Sequence, residues 1–391
     1  MELKQGYKKT EVGIIPEDWY VKLLSELSTE IGDGIHSTPK YVRSSEFFFI
    51  NGNNLIENSI RITESTMCVS QEEYLRLRQR LSERTVLLSI NGTIGNLAFF
   101  RDEKVVLGKS AAYINVAHTT SKEFVFHSLD SQAITTYFEN ELTGTTIRNL
   151  SLQSIRNTPI PLPPTKDEQT AIAQALSDAD ELITSLEKLI TKKRNIKQGA
   201  MQQLLTGKKR LPGFNGKWEA KKLGEIAEIY QPQTISENDF SNDGYLVYGA
   251  NGIVGKYYKY NHETWQTIIT CRGSTCGTVN KTINKCWITG NAMVVNIDNN
   301  KEIDKLFLYF LLSKQDYKNC ITGSGQPQIV RKPLAEFEIG IPKDKEEQSA
   351  IAQVLSDMDA EITALEQKLS KYRMIKQGMM QELLTGKTRL I

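Results

Sequence analysis

The chain lacks most of the features that would place it quickly. None of its 391 residues forms a run close to the roughly 18 consecutive apolar residues that a membrane span requires. The opening MELKQGYKKTEV has no apolar signal core, and both absences point to a cytoplasmic protein. Cysteine is scarce and odd in number, at five, which argues against a disulfide framework. Three of the five, Cys271, Cys276 and Cys286, lie near His262, so zinc is one reading. The spacing contains no CxxC pair, and buried or free thiols are the preferred reading. An excess of one charge is missing too: the net charge is +2. That does not announce nucleic acid, although binding needs only a local positive face. Nucleotide loops are absent. Gly249-Ala250-Asn251-Gly252-Ile253-Val254-Gly255 has the wrong spacing for a dinucleotide loop, and Lys256 followed by Tyr257 makes no phosphate loop.

What is present is a duplication. Residues Glu168 to Leu211 and Glu347 to Leu390 are identical at 29 of 44 positions, at a constant offset of 179. Apolar residues recur in alternating steps of four and three at Ile172, Leu176, Ala179, Ile183, Leu186 and Ile190. The second copy has Ile351, Leu355, Met358, Ile362, Leu365 and Leu369. So narrow a stripe predicts a coiled-coil seam facing one partner helix. Capping boxes are expected at Thr165 with Glu168 and at Asp344 with Glu347, and helix ends at Gly207 and Gly386. Roughly 40 residues at about 1.5 Å each give a rod of about 60 Å. Gly199 and Gly378 interrupt both rods within a shared IKQG segment, where a kink or the close approach of another chain would account for them.

Charge sets the direction of pairing. Residues 165–187 hold six acids and one base, and 188–210 hold eight bases and no acid. Residues 344–366 hold seven acids and one base, and 367–389 hold six bases and one acid. Parallel helices would set like on like, so an antiparallel pair is expected.

Between the rods lie two irregular segments that correspond at their ends. Asp18-Trp19 with Lys22, Leu24 and Glu26 matches Lys217-Trp218 with Lys221, Leu223 and Glu225 at offset 199. Thr143-Gly144-Thr145 matches Thr322-Gly323-Ser324 at offset 179, so the first segment carries about twenty extra residues. Strands are expected at Phe47–Ile50, Val86–Ile90, Ala112–Val116, Thr267–Thr270 and Met293–Ile297, and helices near Glu123–Tyr137 and Lys305–Tyr317. The fold class is therefore α+β: two pseudo-symmetric α/β heads separated by a long antiparallel two-helix coiled coil. The expected boundaries are a lead-in at 1–16, heads at 17–162 and 213–341, and spacer helices at 163–212 and 342–391. The shared ends and unlike middles describe one frame presenting two different surfaces, with the termini close together about a pseudo-twofold axis.

GYKKTEVGIIPEDW, IPLPPTKDEQTAIAQALSDAD, LLTGKKRLPGF, IGIPKDKEEQSAIAQVLSD and LLTGKTRL together make the chain resemble the type I restriction-modification specificity subunits, over essentially its whole length. The resemblance implies that the heads are target-recognition domains, each reading one half of a split, asymmetric site in double-stranded DNA. It implies that the rods dock two modification subunits, adenine-N6 methyltransferases using S-adenosylmethionine, and that restriction needs further translocase and nuclease subunits using ATP and Mg. It implies no catalytic site, cofactor or membrane contact for the chain itself. In keeping with that, the Asn/Asp-Pro-Pro-aromatic tetrapeptide of adenine methyltransferases is absent. Gly323-Ser324-Gly325-Gln326-Pro327-Gln328-Ile329 is similar to a family Gly-Ser-x-Gln element, whereas the first segment has Ile147 where the glutamine would stand.

Base and phosphate readers are sought among Arg, Lys, Asn and Gln. The candidates are Lys40, Arg43, Arg61, Lys109 and Arg148 in the first head. In the second they are Lys256, Lys259, Arg272, Lys281, Gln328 and Arg331. For each, an ordinary solvated charge is the competing reading. The aromatic run Tyr257-Tyr258-Lys259-Tyr260 suits either stacking on sugars or an edge strand. Two other functions compete: a self-sufficient adenine methyltransferase, and a coiled-coil scaffold with no salt-sensitive affinity for duplex DNA. If the rods act as a ruler, inserting four residues in each, about 6 Å of rise, lengthens the unread gap and leaves both half-sites unchanged. Methylation mapping reads this directly; altered half-sites with an unchanged gap refute the ruler.

Overall fold

The computed structural model describes residues 5–144, 148–249, 251–322 and 327–390. The chain forms two compact units, residues 1–186 with 368–391 and residues 187–367. Each unit holds one head, half of the first rod and half of the second.

In the first unit the main sheet is antiparallel, in the order Thr93–Phe99, Thr85–Asn91, Ala111–Val116, Ser28–Asp33. The central strand is an apolar run because both of its faces are covered. Val86, Leu88 and Ile90 enter a core with Phe124 and Phe126 of helix Lys122–Leu129. Leu87, on the other face, packs with Ile50, Val105 and Leu107. Those last residues belong to a second sheet, in which Phe48–Ile50 runs parallel to Val105–Leu107. Strands Tyr41–Val42 and Cys68–Val69 extend that sheet.

The second unit repeats the plan. Its main sheet runs Glu228–Tyr230, Ala292–Asn296, Thr267–Thr270, Val279–Lys281. Ile269 and Met293 face Phe307 and Leu311 of helix Lys305–Ser313, while Ile268 and Val294 face Tyr248 and Ile288. Tyr245–Gly249 is parallel to Trp287–Ile288, and the hairpin strand Gly252–Tyr257 forms the edge of this smaller sheet. A two-strand clasp closes each head where the chain enters and leaves it. Tyr20–Leu23 pairs with Pro159–Leu162 in the first, and Trp218–Lys222 with Glu338–Pro342 in the second. The matching entry segments in the sequence, around Trp19 and Trp218, lead into these clasps.

Each rod is a 39-residue helix, Lys166–Leu204 and Lys345–Leu383. Within each unit the two half-helices run antiparallel, as their ion pairs show. In the first unit Lys376 pairs with Asp180 at 2.7 Å and Arg389 with Glu168. In the second, Lys193 pairs with Glu361 at 2.6 Å, Lys197 with Asp359, and Arg210 with Glu347 at 2.5 Å. Lys376–Asp180 and Arg389–Glu168 are Lys197–Asp359 and Arg210–Glu347 at the repeat offset.

Two expectations are corrected. The seam is not a narrow two-helix stripe along its whole length. Ile172 and Leu176 lie in the core of the first head, and Ile351 and Leu355 in that of the second, each with a neighbouring buried alanine, Ala173 or Ala352. The start of each rod thus meets a broad apolar surface. Leu186, Ile190 and Ile362 are buried as seam residues should be; Ile183, Leu365 and Leu369 are half-buried. The capping boxes are also incomplete. Thr165 Oγ1 accepts from Glu168 N–H, and Asp344 accepts from Glu346 N–H, not from Glu347. The carboxylates of Glu168 and Glu347 face the arginines instead.

Gly207 and Gly386 end the rods at φ +66° and +68°. A Cβ on Gly386 would lie 2.6 Å from Pro16 and 3.0 Å from Trp19, and one on Gly207 would lie 3.2 Å from Trp218. Positive φ and an indole lid explain why glycine precedes the paired arginine in both copies.

One buried cluster occurs only in the first unit. His127 is 1 % exposed. Its Nε2 meets Ser177 Oγ at 3.0 Å, and its Nδ1 stands 3.9 Å from Asp180. Burial, with help from the Lys376 ammonium, depresses the imidazole to about 3. Burial also raises the Asp180 carboxyl. The same position in the second head, six residues beyond the N-cap, is Phe310.

Arg389→Ala strands the carboxylate of Glu168, which is 1 % exposed, and should cost about 3 kcal/mol in chemical denaturation. Arg210→Ala should cost a similar amount through Glu347. Because His127 titrates near 3 when folded and near 6.5 when free, protons favour the unfolded chain. The His127 contribution is present above pH 6.5 and is lost as the pH drops toward 3, by about 2 kcal/mol at pH 5. His127→Phe should remove that portion of the slope.

Candidate nucleic-acid interface

At one end of each main sheet the chain makes the same backbone arrangement from different side chains. In the first head Thr85–Asn91 turns through Gly92, at φ +78°, into Thr93–Phe99. In the second, the backbone beyond Thr267–Thr270 turns at Gly273, at φ +86°. A Cβ on either glycine would meet nothing within 4 Å, so these turns are open.

A short extended segment lies beside each turn. Leu150 N–H donates to the Ile90 carbonyl at 2.9 Å, which pairs Asn149 with Asn91. Asn149 also exchanges both backbone bonds with Thr143, at 2.9 and 3.0 Å. In the second head Ile329 N–H donates to the Cys271 carbonyl at 3.0 Å, pairing Gln328 with Arg272. Gln328 stands opposite Thr322 just as Asn149 stands opposite Thr143. The frame is shared, but the side chains are Asn91 and Asn149 in one head, Arg272 and Gln328 in the other.

Of the sequence candidates, Arg272 and Gln328 are brought together, with Arg272 exposed and Gln328 half-buried. Arg331 is exposed at the start of the short helix that follows. Arg148 is exposed and adjoins Asn149. Lys109 is exposed in the tight turn after Val105–Leu107, where Ser110 donates to Asn51 Oδ1 at 2.9 Å.

The remaining candidates lie elsewhere. Lys40 and Arg43 are exposed beside the short strand Tyr41–Val42. Arg61 is 3.6 Å from Glu57 and lines a cleft of about 320 Å³ with Tyr41, Phe49 and Asn51. Lys256 is exposed on the edge strand, and the Lys259 ammonium sits 5.2 Å from the centre of the exposed Tyr258 ring. Lys281 is held over the rings of Trp265 and Tyr309, at 5.4 and 5.7 Å, on the side of the sheet that carries the helix. The Gly323–Gln326 part of the glycine-rich element, and Thr145–Ile147 in the first head, lie outside the described residues.

Asn91 and Asn149 were not among the candidates. An Asn-Gly pair between two apolar runs reads as a hairpin turn, and its tertiary partner 58 residues on leaves no local signal. His262 is occupied within the head: its Nε2 meets the Tyr230 hydroxyl at 2.8 Å and its Nδ1 the Asn261 carboxamide oxygen at 2.6 Å. Burial depresses it to about 4. Cys271 and Cys286 are buried free thiols. Among the described residues, no group of three or more His, Cys, Asp or Glu side chains is arranged to hold a metal.

The model of the type I restriction modification DNA specificity domain matches residues 16–198 and 215–371. The chain belongs to the type I restriction-modification specificity family. A curated member, the type I restriction enzyme MjaVIII specificity subunit of Methanocaldococcus jannaschii, is 22 % identical over 437 residues, spanning 99 % of this chain and 97 % of that one. The crystal structure of the type I restriction-modification S subunit from M. genitalium superposes with a TM-score of 0.66 at 19 % identity, covering 98 % of both chains. A chain from a structural study of complex assembly and conformational transition in the type I R-M system gives 0.58 at 16 % identity, covering 96 % of this chain and 99 % of that one. Both share the specificity-subunit fold. Among the described residues no helix is long and apolar enough to cross a membrane.

Proposed function

We propose that this specificity subunit reads a bipartite, asymmetric site in double-stranded DNA, one half with each head, and is itself non-catalytic. Its rods dock two modification subunits, adenine-N6 methyltransferases that use S-adenosylmethionine. Restriction then requires translocase and nuclease subunits that use ATP and Mg. The observation that carries this reading is the conserved backbone bridge at the end of each sheet, bearing Asn91 with Asn149 in one head and Arg272 with Gln328 in the other. Two copies of one binding domain would keep both frame and side chains; a scaffold has no need of either. Groups of this kind, donors and acceptors at fixed spacing on open turns, suit base edges in the major groove. The surrounding lysines and arginines suit phosphates, which set register without specifying sequence.

Replacing residues 213–341 by the second head of another specificity subunit should change one half-site and leave the other intact. Methylation profiling of host DNA reads both halves at once. A change in both halves, or in neither, is incompatible with split reading. The purified chain, incubated with labelled S-adenosylmethionine and duplex DNA, should transfer no methyl group; transfer would favour the self-sufficient methyltransferase.

A further inference from the structure

The two sheet-end bridges determine more than a general surface. In the second head the backbone bonds are Ile329 N–H to the Cys271 carbonyl and Gly273 N–H to the Pro327 carbonyl, at 3.0 and 3.2 Å. They flank the Arg272–Gln328 pair and do not lie within it. In an antiparallel ladder a pair of this type has its Cα atoms only about 4.5 Å apart, with both side chains rising from the same face. Neither the Arg272 guanidinium nor the Gln328 amide has a hydrogen-bond or ion-pair partner among the described residues.

In the first head Asn91 Nδ2 donates to Asn149 Oδ1 at 3.4 Å. That link leaves Asn91 Oδ1 as an acceptor beside Asn149 Nδ2 as a donor. An acceptor next to a donor complements N6–H and N7 of adenine. A guanidinium fork complements O6 and N7 of guanine. A phosphate would require only a cation, in any of many orientations. Setting an amide beside an arginine, or an amide beside an amide, on a backbone pinned from two sides supplies the geometry that a base edge demands. Thr143 and Thr322 hold the far side of the bridge in both heads, so the backbone is kept while the donor pattern is altered.

We propose that these paired positions determine specificity: Arg272 with Gln328 reads a guanine in the half-site of the second head, and Asn91 with Asn149 reads an adenine in that of the first. The proposal rests on the split-site reading above. The full chain, in complex with its modification partner, is tested as Arg272→Ala, Arg272→Lys and Asn149→Ala, with methylated sites mapped by single-molecule sequencing. Arg272→Ala should lose discrimination at one guanine of one half-site by roughly 10-fold or more, with the other half unchanged. Arg272→Lys keeps the charge but not the fork, and should relax the same position. Asn149→Ala should relax an A·T pair in the opposite half-site. Parental specificity in Arg272→Lys, or loss of all methylation by a folded Arg272→Ala complex, assigns the arginine to phosphate and overturns the proposal. An unchanged site in Arg272→Ala also overturns it and leaves split reading standing. Relaxation of both half-sites by a single substitution overturns both.

Discussion

The architecture depends on a Glu-Gln dipeptide buried at the start of each rod. Glu168 and Gln169 are 1 % and 3 % exposed, and Glu347 and Gln348 are each 1 % exposed. The glutamate carboxylate receives an arginine from the far end of the other rod, so it fixes where that helix stops. The glutamine points the other way. Its Oε1 accepts from the N-cap N–H of the head's late helix, Ser121 at 3.0 Å or Asp304 at 2.8 Å. Its Nε2 donates to the carbonyl of Pro163 or Pro342, at 3.2 or 2.9 Å, at the end of the clasp. Two adjacent side chains thus join rod to rod, rod to head and head to clasp. Both are polar, and an uncompensated buried charge is costly, so the arrangement tolerates little drift. That is a physical reason for the dipeptide to survive in both copies.

Much of this was legible in the sequence because it is periodic or repeated. The rods, their antiparallel sense and their glycine ends follow from spacing and charge alone. The central strands were visible as apolar runs, and Thr267–Thr270 matches its expected span residue for residue. Of the smaller sheets, only Phe48–Ile50 was visible. Tyr41–Val42, Cys68–Val69 and Trp287–Ile288 are two-residue strands whose existence depends on partners far along the chain. The capping boxes misled for an instructive reason. A glutamate at the third helical position can reach back to its own cap, but a distant arginine is the stronger partner.

The candidate interface was legible in kind and blurred in place. Arg272 and Gln328 stood out by residue type, although nothing local couples residues 56 positions apart. Arg148 stood out by charge, whereas its neutral neighbour Asn149 occupies the paired position. Lys281 had the right chemistry, but two aromatic rings hold it against the head. Charge is conspicuous in a sequence, whereas backbone pairing shows only in the fold.

The ion pairs of the two units carry a last implication. Lys376–Asp180 and Arg389–Glu168 become Lys197–Asp359 and Arg210–Glu347 when the two rods exchange roles. Every such contact joins the acidic half of one rod to the basic half of the other. A chain with one head and one rod would carry both halves of this code and could satisfy neither alone. Two copies of it would satisfy both. The present polypeptide therefore has the contact logic of a homodimer whose two subunits are joined in one chain.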